Sequence, residues 1–346
     1  MSAMQALSSY PLGKLPADHL SRLLARHAPT DPDVVIGPRV GEDAAVVVVT
    51  PGRYLVAKSD PITFATDEIG WYAVHVNAND VACCGARPRW WMATVLLPGG
   101  KATPELVDTI FDQFSDACAQ VGAQLVGGHT EITYGLDRPI VVGTMLGEVE
   151  PGKLVSTDGA RPGDVLILTK GIAVEGTAIL AREKGTELRG RVSGALLARC
   201  AQFLHQPGIS VVLDAQLVCQ AGGGAVHAMH DPTEGGVMTG LHELAAASGC
   251  GLEVAGDRLP ILPETRALCE PFGLDPLGLI ASGSLLAAVA PDAAGGVIAA
   301  LGEAGIQVTD IGRVLPEGSE RVMMWGEERR PLPVFRRDEL ARLFDG

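Results

Sequence analysis

Aromatic side chains are scarce, 4% of the 346 residues, so any core must be packed from small aliphatic groups. Basic residues are also short, 27 Lys and Arg against 41 Asp and Glu, for a net charge of -14. That balance argues against nucleic acid and anionic membrane as partners, because both need clustered Lys and Arg. It leaves room for a polyphosphate held through divalent cations. The seven cysteines contain no C-x-x-C pair and their odd number does not describe a disulfide framework. Neighbouring Cys83 and Cys84 read as buried small residues of a reducing compartment. No charged-then-apolar pattern opens the chain, and the most apolar late stretch, 279–301, is broken by Pro291 and Asp292. The expectation is a cytoplasmic protein with no membrane span. Nucleotide signatures of the G-x-x-x-x-G-K-[ST], G-x-G-x-x-G and kinase types are missing as well.

What is present is ample apolar material, 47% of the chain, with 43 glycines and 23 prolines for tight turns. The length exceeds what one ordinary core holds, and the densest mid-chain turn signals are Glu150-Pro151-Gly152 and Gly159 to Asp164. We therefore divide the chain into a flexible arm (1–12), a first domain (13–152) and a second domain (153–346). Periodicity predicts helices over Asp18 to Arg26, from Thr66 or Asp67 to Cys84, and over Pro104 to Val121. It predicts strands over Trp90 to Leu97, Gln124 to Val126 and Pro139 to Val149. Helices and strands alternate through the second half. The fold class is α+β, a mixed sheet covered by helices followed by an α/β layer.

Four stretches carry candidate chemistry. Gly41-Glu42-Asp43 and Lys58-Ser59-Asp60 flank two valine-rich runs around Pro51-Gly52. A hairpin with its tip there puts Asp43 opposite Asp60, where like charges repel unless a cation lies between them or water solvates both. The following helix has an apolar face (Ile69, Ala73, Val74, Val76, Val81) but also carries Asn77, Asn79 and Asp80. Those polar groups either cap backbone in a nearby loop or serve a metal or ligand. Val126-Gly127-Gly128-His129-Thr130-Glu131 reads as a short strand running into a glycine loop, either a tight turn or an anion-facing segment in which His129 and Glu131 add or orient a cation ligand. In His230-Asp231-Pro232-Thr233-Glu234-Gly235-Gly236, Thr233 is a natural helix cap, and Gly235 and Gly236 leave N–H groups free for a phosphate. Plain capping is the alternative.

In this order, G-E-D-A-A, S-D, I-G-W…N-D-V-A…G-A-R-P, V-G-G-H-T-E, D-P-T-E-G-G and G-L-D-P-L-G-L (273–279) resemble the superfamily of aminoimidazole-ribonucleotide synthetase, selenophosphate synthetase, thiamine-monophosphate kinase and the hydrogenase-maturation HypE proteins. The resemblance is strongest to the HypE-like branch. It implies a two-domain fold whose first domain forms a homodimeric barrel, with ATP and Mg²⁺ in a cleft near the interface. Asp43, Asp60 and Asp80 match the metal ligands. Lys58, Asn79, Gly127, Gly128, Thr130, Asp231, Thr233, Gly235 and Gly236 would bind the nucleotide, and Glu175, His129 or Glu131 would handle protons. The implied chemistry is phosphoryl transfer to a carbonyl- or amide-type oxygen of a small molecule or partner protein, resting on positioning and charge neutralisation. Three features depart from the pattern. No cysteine follows Cys269, whereas HypE proteins end in a cysteine-bearing tail; Ala281-Ser282-Gly283 replaces an N-E-G context; and Glu175 stands where histidine precedes the glycine. The alternatives are a non-catalytic ATP-binding maturation factor and a small-molecule kinase resembling thiamine-monophosphate kinase.

Overall fold

The valine runs around Pro51-Gly52 pair as an antiparallel hairpin and seed the first of two sheets. The computed structural model describes residues 14–26, 28–63 and 67–345; the arm (1–12) and Thr66 lie outside them. The first half comprises α1 (Ala17–Arg26), β1 (Val34–Ile36), β2 (Ala45–Thr50), β3 (Arg53–Ile62), α2 (Ile69–Cys83), β4 (Arg87–Pro98), α3 (Pro104–Val121), β5 (Gln124–Thr133) and β6 (Ile140–Val149). Its six strands run in the order β1-β2-β3-β6-β4-β5, with only the β4–β5 pair parallel.

The second half comprises β7 (Val165–Thr169), α4 (Val174–Glu183), α5 (Gly185–Leu188), α6 (Gly194–Ala201), α7 (Val212–Gly222), β8 (Val226–His230), α8 (Gly236–Ala247), β9 (Gly251–Ala255), α9 (Pro263–Cys269), β10 (Leu286–Val289), α10 (Pro291–Glu303), β11 (Val308–Leu315), β12 (Arg321–Trp325), β13 (Glu328–Pro331) and α11 (Glu339–Asp345). Its sheet order is β13-β12-β9-β11-β7-β10-β8. Every side chain of β7 and β10 is buried, as expected for central strands covered on both faces. This is the two-domain mixed architecture that the sequence predicts. Among the described residues no helix is long and apolar enough to cross a membrane.

Three local expectations are corrected. The hairpin pairs Ala45 with Ala57 and Val46 with Val56, then shifts register before Thr50 and Arg53. The irregularity displaces the ladder by one residue, and β2 starts only at Ala45, so Asp43 precedes the strand and does not face Asp60. At the start of α2, Asp67 is not the cap. Glu68 occupies that position with φ 55° and no side-chain cap bond, while Arg182 of α4 pairs with both Asp67 and Glu68. Finally, Gly127 to Glu131 is not a loop. β5 continues through it to Thr133, in parallel register with Met92 to Pro98 of β4. Gly128 lies at φ 149°, and a Cβ there would come within 2.1 Å of the Ala93 carbonyl oxygen, so the close approach of two strands explains the glycine.

Candidate functional site

Helix α2 positions the site. Trp71 is its only residue that is not buried, because the first sheet and α3 cover one side and α7 of the second domain lies against another. A helix enclosed in this way must satisfy each of its polar groups internally. Asn77 does so by gripping β3: its Oδ1 accepts from the Asp60 N–H at 2.8 Å, and its Nδ2 donates to the carbonyls of Asp60 and Ala73. Gly143 makes room for this contact, since a Cβ there would strike the Trp91 ring at 2.0 Å and Asn77 at 2.6 Å. Asn79 turns toward the second domain, donating to the Ile209 carbonyl and accepting from the Val211 N–H, both at 2.8 Å. That corrects the nucleotide-binding expectation for Asn79: both ends of its amide are engaged in joining the domains.

Asp80, one residue further on, reaches a cavity of about 330 Å³ lined by Asp43, Lys58, Asp60, Asp231, His230, Thr233, Glu243 and Lys14 among others. Asp43 is 7% exposed, Asp80 3% and Asp231 1%. The Lys58 ammonium donates to Asp80 Oδ1 at 3.1 Å and lies 3.4 Å from Asp60 Oδ2. Burial pulls the Lys58 pKa down, but Asp80, Asp60, Asp43 and Asp231 outweigh it and raise the value above the ordinary lysine range. Burial raises the Asp80 carboxyl to about 7 and lifts Asp231 well above its ordinary range. One oxygen of each, Asp80 Oδ2 and Asp231 Oδ2, is buried without a hydrogen-bond partner. Asp43 is held from the second domain. His230 Nδ1 lies 2.6 Å from its Oδ1, and His230 Nε2 lies 3.1 Å from Glu243 Oε2. Burial lowers the His230 pKa, yet the two flanking carboxylates raise it well above its usual value, so an imidazolium donates to both. Thr157, between the two sheets in sequence, donates to Asp43 Oδ2 at 3.4 Å.

The donor set decides which ion would fit. Asp43, Cys83 and Asp231 place ligand atoms within 4.8 Å of one another, but burial and Asp231 hold the Cys83 thiol pKa far up, and its Sγ donates to Asp231 Oδ1 at 3.8 Å. Carboxylate oxygens are what remain, two of them unpaired, and this is the ligand chemistry of Mg²⁺ and similar hard cations.

The model of the N-terminal domain of AIR synthase related proteins matches residues 41–149, and that of the C-terminal domain matches residues 161–324. The chain belongs to the AIR synthase related family. Within that family, carbamoyl dehydratase HypE of Cupriavidus necator is 32% identical over 295 residues, covering 83% of this chain and 80% of that protein. A putative hydrogenase expression/formation protein of Methanocaldococcus jannaschii is 27% identical over 66% of this chain and 64% of its own. Among solved structures, hydrogenase maturation protein HypE in complex with ATP superposes with a TM-score of 0.70 at 26% identity, covering 96% of this chain and 98% of that one. The thiamine monophosphate kinase of Aquifex aeolicus shares the fold at 19% identity, with a TM-score of 0.66 and coverage of 87% and 94%.

Other residues expected at the AIR synthase related site are placed elsewhere or, like Thr233 in the cavity wall, are engaged differently. Asp60 pairs with Gly143, Gly143 with Ala93, and Ala93 with Gly128, so three inter-strand steps, about 14 Å, separate β5 from β3. Gly127, Gly128, His129, Thr130 and Glu131 therefore do not join the carboxylates within one chain. His129 and Glu131 face each other at 3.5 Å on an exposed edge. At α8, Gly235 is the left-handed cap, and its N–H donates to Asp338 Oδ2 at 2.6 Å. A protein carboxylate thus takes the group expected to bind phosphate. Gly236 is needed because a Cβ would meet the Leu277 carbonyl oxygen at 2.4 Å. Thr233 does not cap the helix; its hydroxyl accepts from Lys14 Nζ at 3.3 Å.

Glu175 lines a recess of about 160 Å³ that shares Lys14, Asp60 and Thr233 with the carboxylate cavity and adds Ile62, Val76, Ile179, Ile280 and Ser282. Its backbone N–H donates to the Ser282 carbonyl, so two of the positions that depart from the HypE pattern touch one another. Sequence reasoning assigned no role to His230, Glu243, Lys14 or Asp338. Adjacency to Asp231 was the one available signal for His230, and nothing in the local sequence marks the other three.

Proposed function

We propose that the chain is a Mg²⁺- and ATP-dependent enzyme of the HypE-like branch that transfers phosphate to a carbonyl- or amide-type oxygen, turning that oxygen into a leaving group. The observation that carries this reading is the cavity in which Asp43, Asp60, Asp80 and Asp231, drawn from both domains, gather around Lys58. Asp43 and Asp231, whose ligand atoms lie within 4.8 Å of one another, would hold Mg²⁺, with Asp80 beside them and Asp60 at the rim. When bound, the ion neutralises phosphate charge. Lys58, Lys14 and Thr233 offer donors to the phosphates.

The adjoining recess is the acceptor end. Ile62, Val76, Ile179 and Ile280 give it apolar walls, and its volume suits a small planar group, delivered free or on a partner protein. Glu175 keeps one oxygen without a hydrogen-bond partner and takes the proton that an amide nitrogen loses as its oxygen attacks the γ-phosphorus and ADP departs. We further propose that a second copy pairs along β5, whose residues are exposed over nearly the whole strand, Leu125, Val126 and Ile132 among them. An unpaired edge of this length is a ready template for strand addition. In the dimer, His129 and Glu131 of each copy would approach the nucleotide from the partner's side.

The test is ATP turnover, read as ADP and phosphate release, with primary amides, carbamoyl derivatives and thiamine monophosphate as acceptors. Acceptor-dependent release that Asp80→Asn lowers by about a hundredfold or more supports the reading. Release only with thiamine monophosphate would favour the kinase alternative. Tight ATP binding with no release on any acceptor would favour a non-catalytic maturation factor.

A further inference from the structure

The carboxylate cluster already contains a cation of its own. Lys58 and Asp60 are two residues apart on β3 and project to the same face, so the strand delivers an amine and a carboxylate together. Asp80 arrives from α2, and the Lys58 ammonium sits between Asp80 Oδ1 (3.1 Å) and Asp60 Oδ2 (3.4 Å), with Asp43 and Asp231 as its next carboxylate neighbours. Its backbone is fixed on both sides, by the ladder to Met145 of β6 and by the Asn77 grip two residues on. The strand thus holds the base of the side chain, and the two carboxylates hold its ammonium. The unpartnered oxygens belong to the other side of the division: Asp80 Oδ2 and Asp231 Oδ2, on residues 3% and 1% exposed.

We propose that Lys58 replaces one divalent ion in this site, so that the chain works with a single Mg²⁺ per nucleotide, held by Asp43 and Asp231 with Asp80 beside them. Sites that hold two ions share carboxylates between metals about 3.5–4 Å apart, and four carboxylates line this cavity. An ammonium between Asp60 and Asp80 pairs with one oxygen of each, carries one charge in place of two, and stays when nucleotide leaves. It presents N–H donors to a phosphate oxygen where a metal ion would present a coordination bond. The site therefore keeps its carboxylates together before any nucleotide arrives. This inference rests on the Mg²⁺–ATP reading above.

The experiment counts ions. Full-length wild type, Lys58→Met and Lys58→Arg are titrated with Mn²⁺ in the presence of a non-hydrolysable ATP analogue, with free Mn²⁺ followed by electron paramagnetic resonance. Melting temperatures are measured without nucleotide, with and without Mg²⁺. The expected result is one ion per chain for wild type and Lys58→Arg, and two for Lys58→Met. Without nucleotide, Lys58→Met should melt below wild type and recover on addition of Mg²⁺ alone. The double variant Lys58→Met/Asp60→Asn, which removes a carboxylate with the amine, should return to one ion. If Lys58→Met does not fold, Lys58→Gln takes its place with the same expected count of two. Two ions in wild type, or an unchanged count in Lys58→Met, overturns the role of Lys58 alone. A wild-type chain that retains no Mn²⁺ with the analogue overturns the metal–nucleotide reading and this inference with it.

Discussion

Burial lifts the Glu175 carboxyl to about 7 against the pull of the Ser282 hydroxyl, and the raised value ties the acceptor recess to the stability of the fold. From the ordinary 4.5 up to about 7, the folded chain holds a proton that the unfolded chain has lost. Stability contributed by the protonated form is therefore fully present below the ordinary value and lost as pH rises through that window. Glu175→Gln removes the titration. Its melting temperature should exceed that of wild type at pH 8, by the equivalent of roughly 3 kcal/mol, and the gap should close by pH 4.5. A pH-independent difference would show that the carboxyl does not titrate there. Acceptor-dependent turnover should fall by about 10²-fold or more in the same variant. At this scale the sequence was partly legible: Asp43, Asp60, Asp80 and Asp231 each stood out beside a strand end, inside an apolar helix or before a glycine pair, but only the family resemblance grouped the first three as metal ligands and assigned Asp231 to the nucleotide. Glu243 and Asp338 were not legible, because each looks like one more acidic residue in an acidic chain until the fold brings it to His230 or to Gly235.

Helix α3 was readable over its whole length, Pro104 to Val121, although its Thr103 cap, whose side chain accepts from the Leu106 N–H, and the left-handed Gly122 that ends it were not singled out in the sequence. Its apolar face meets one surface and its polar face meets water. Helix α2 was legible as a helix, expected from Thr66 or Asp67 to Cys84 and observed over Ile69–Cys83, but not its near-complete burial, because its polar residues Asn77, Asn79 and Asp80 are satisfied inside the fold and leave no solvent-facing stripe. Strand β5 was cut short at Gly127 because paired glycines signal a turn more often than a close strand crossing. Two predictions belong at this scale. Asn79→Ala leaves the Ile209 carbonyl and the Val211 N–H without their partner, and denaturant unfolding should show a loss of about 2–4 kcal/mol. Ile132→Lys on the exposed face of β5, 64% accessible in the single chain, should convert a dimer to a monomer in sedimentation velocity. Unchanged sedimentation would place the contact elsewhere.

Across the whole molecule, the site is assembled from distant parts of the chain. Asp43 and His230 are 187 positions apart, and the segment joining the two sheets adds Thr157 to the same carboxylate. Local patterns indicated two domains but could not show that the domains share a cavity. If both domains hold the ligand, Mg²⁺–ATP should raise the temperature of a single unfolding transition. The gain should be about 2.7 kcal/mol at a hundred times Kd, and chelating the metal should abolish it. A shift confined to the earlier of two separate transitions would mean that one domain binds alone.

The position of α2 also bears on how such a chain can be divided or inherited. Its buried asparagines look both ways, Asn77 into its own sheet and Asn79 across to the other half. Cutting between Val149 and Val165 would strand polar groups on both fragments and bare an apolar helix flank on the first. The halves are modules in outline only, and exchanging one for a homologue's counterpart would require the loop at 209–211 to travel with the helix that reads it.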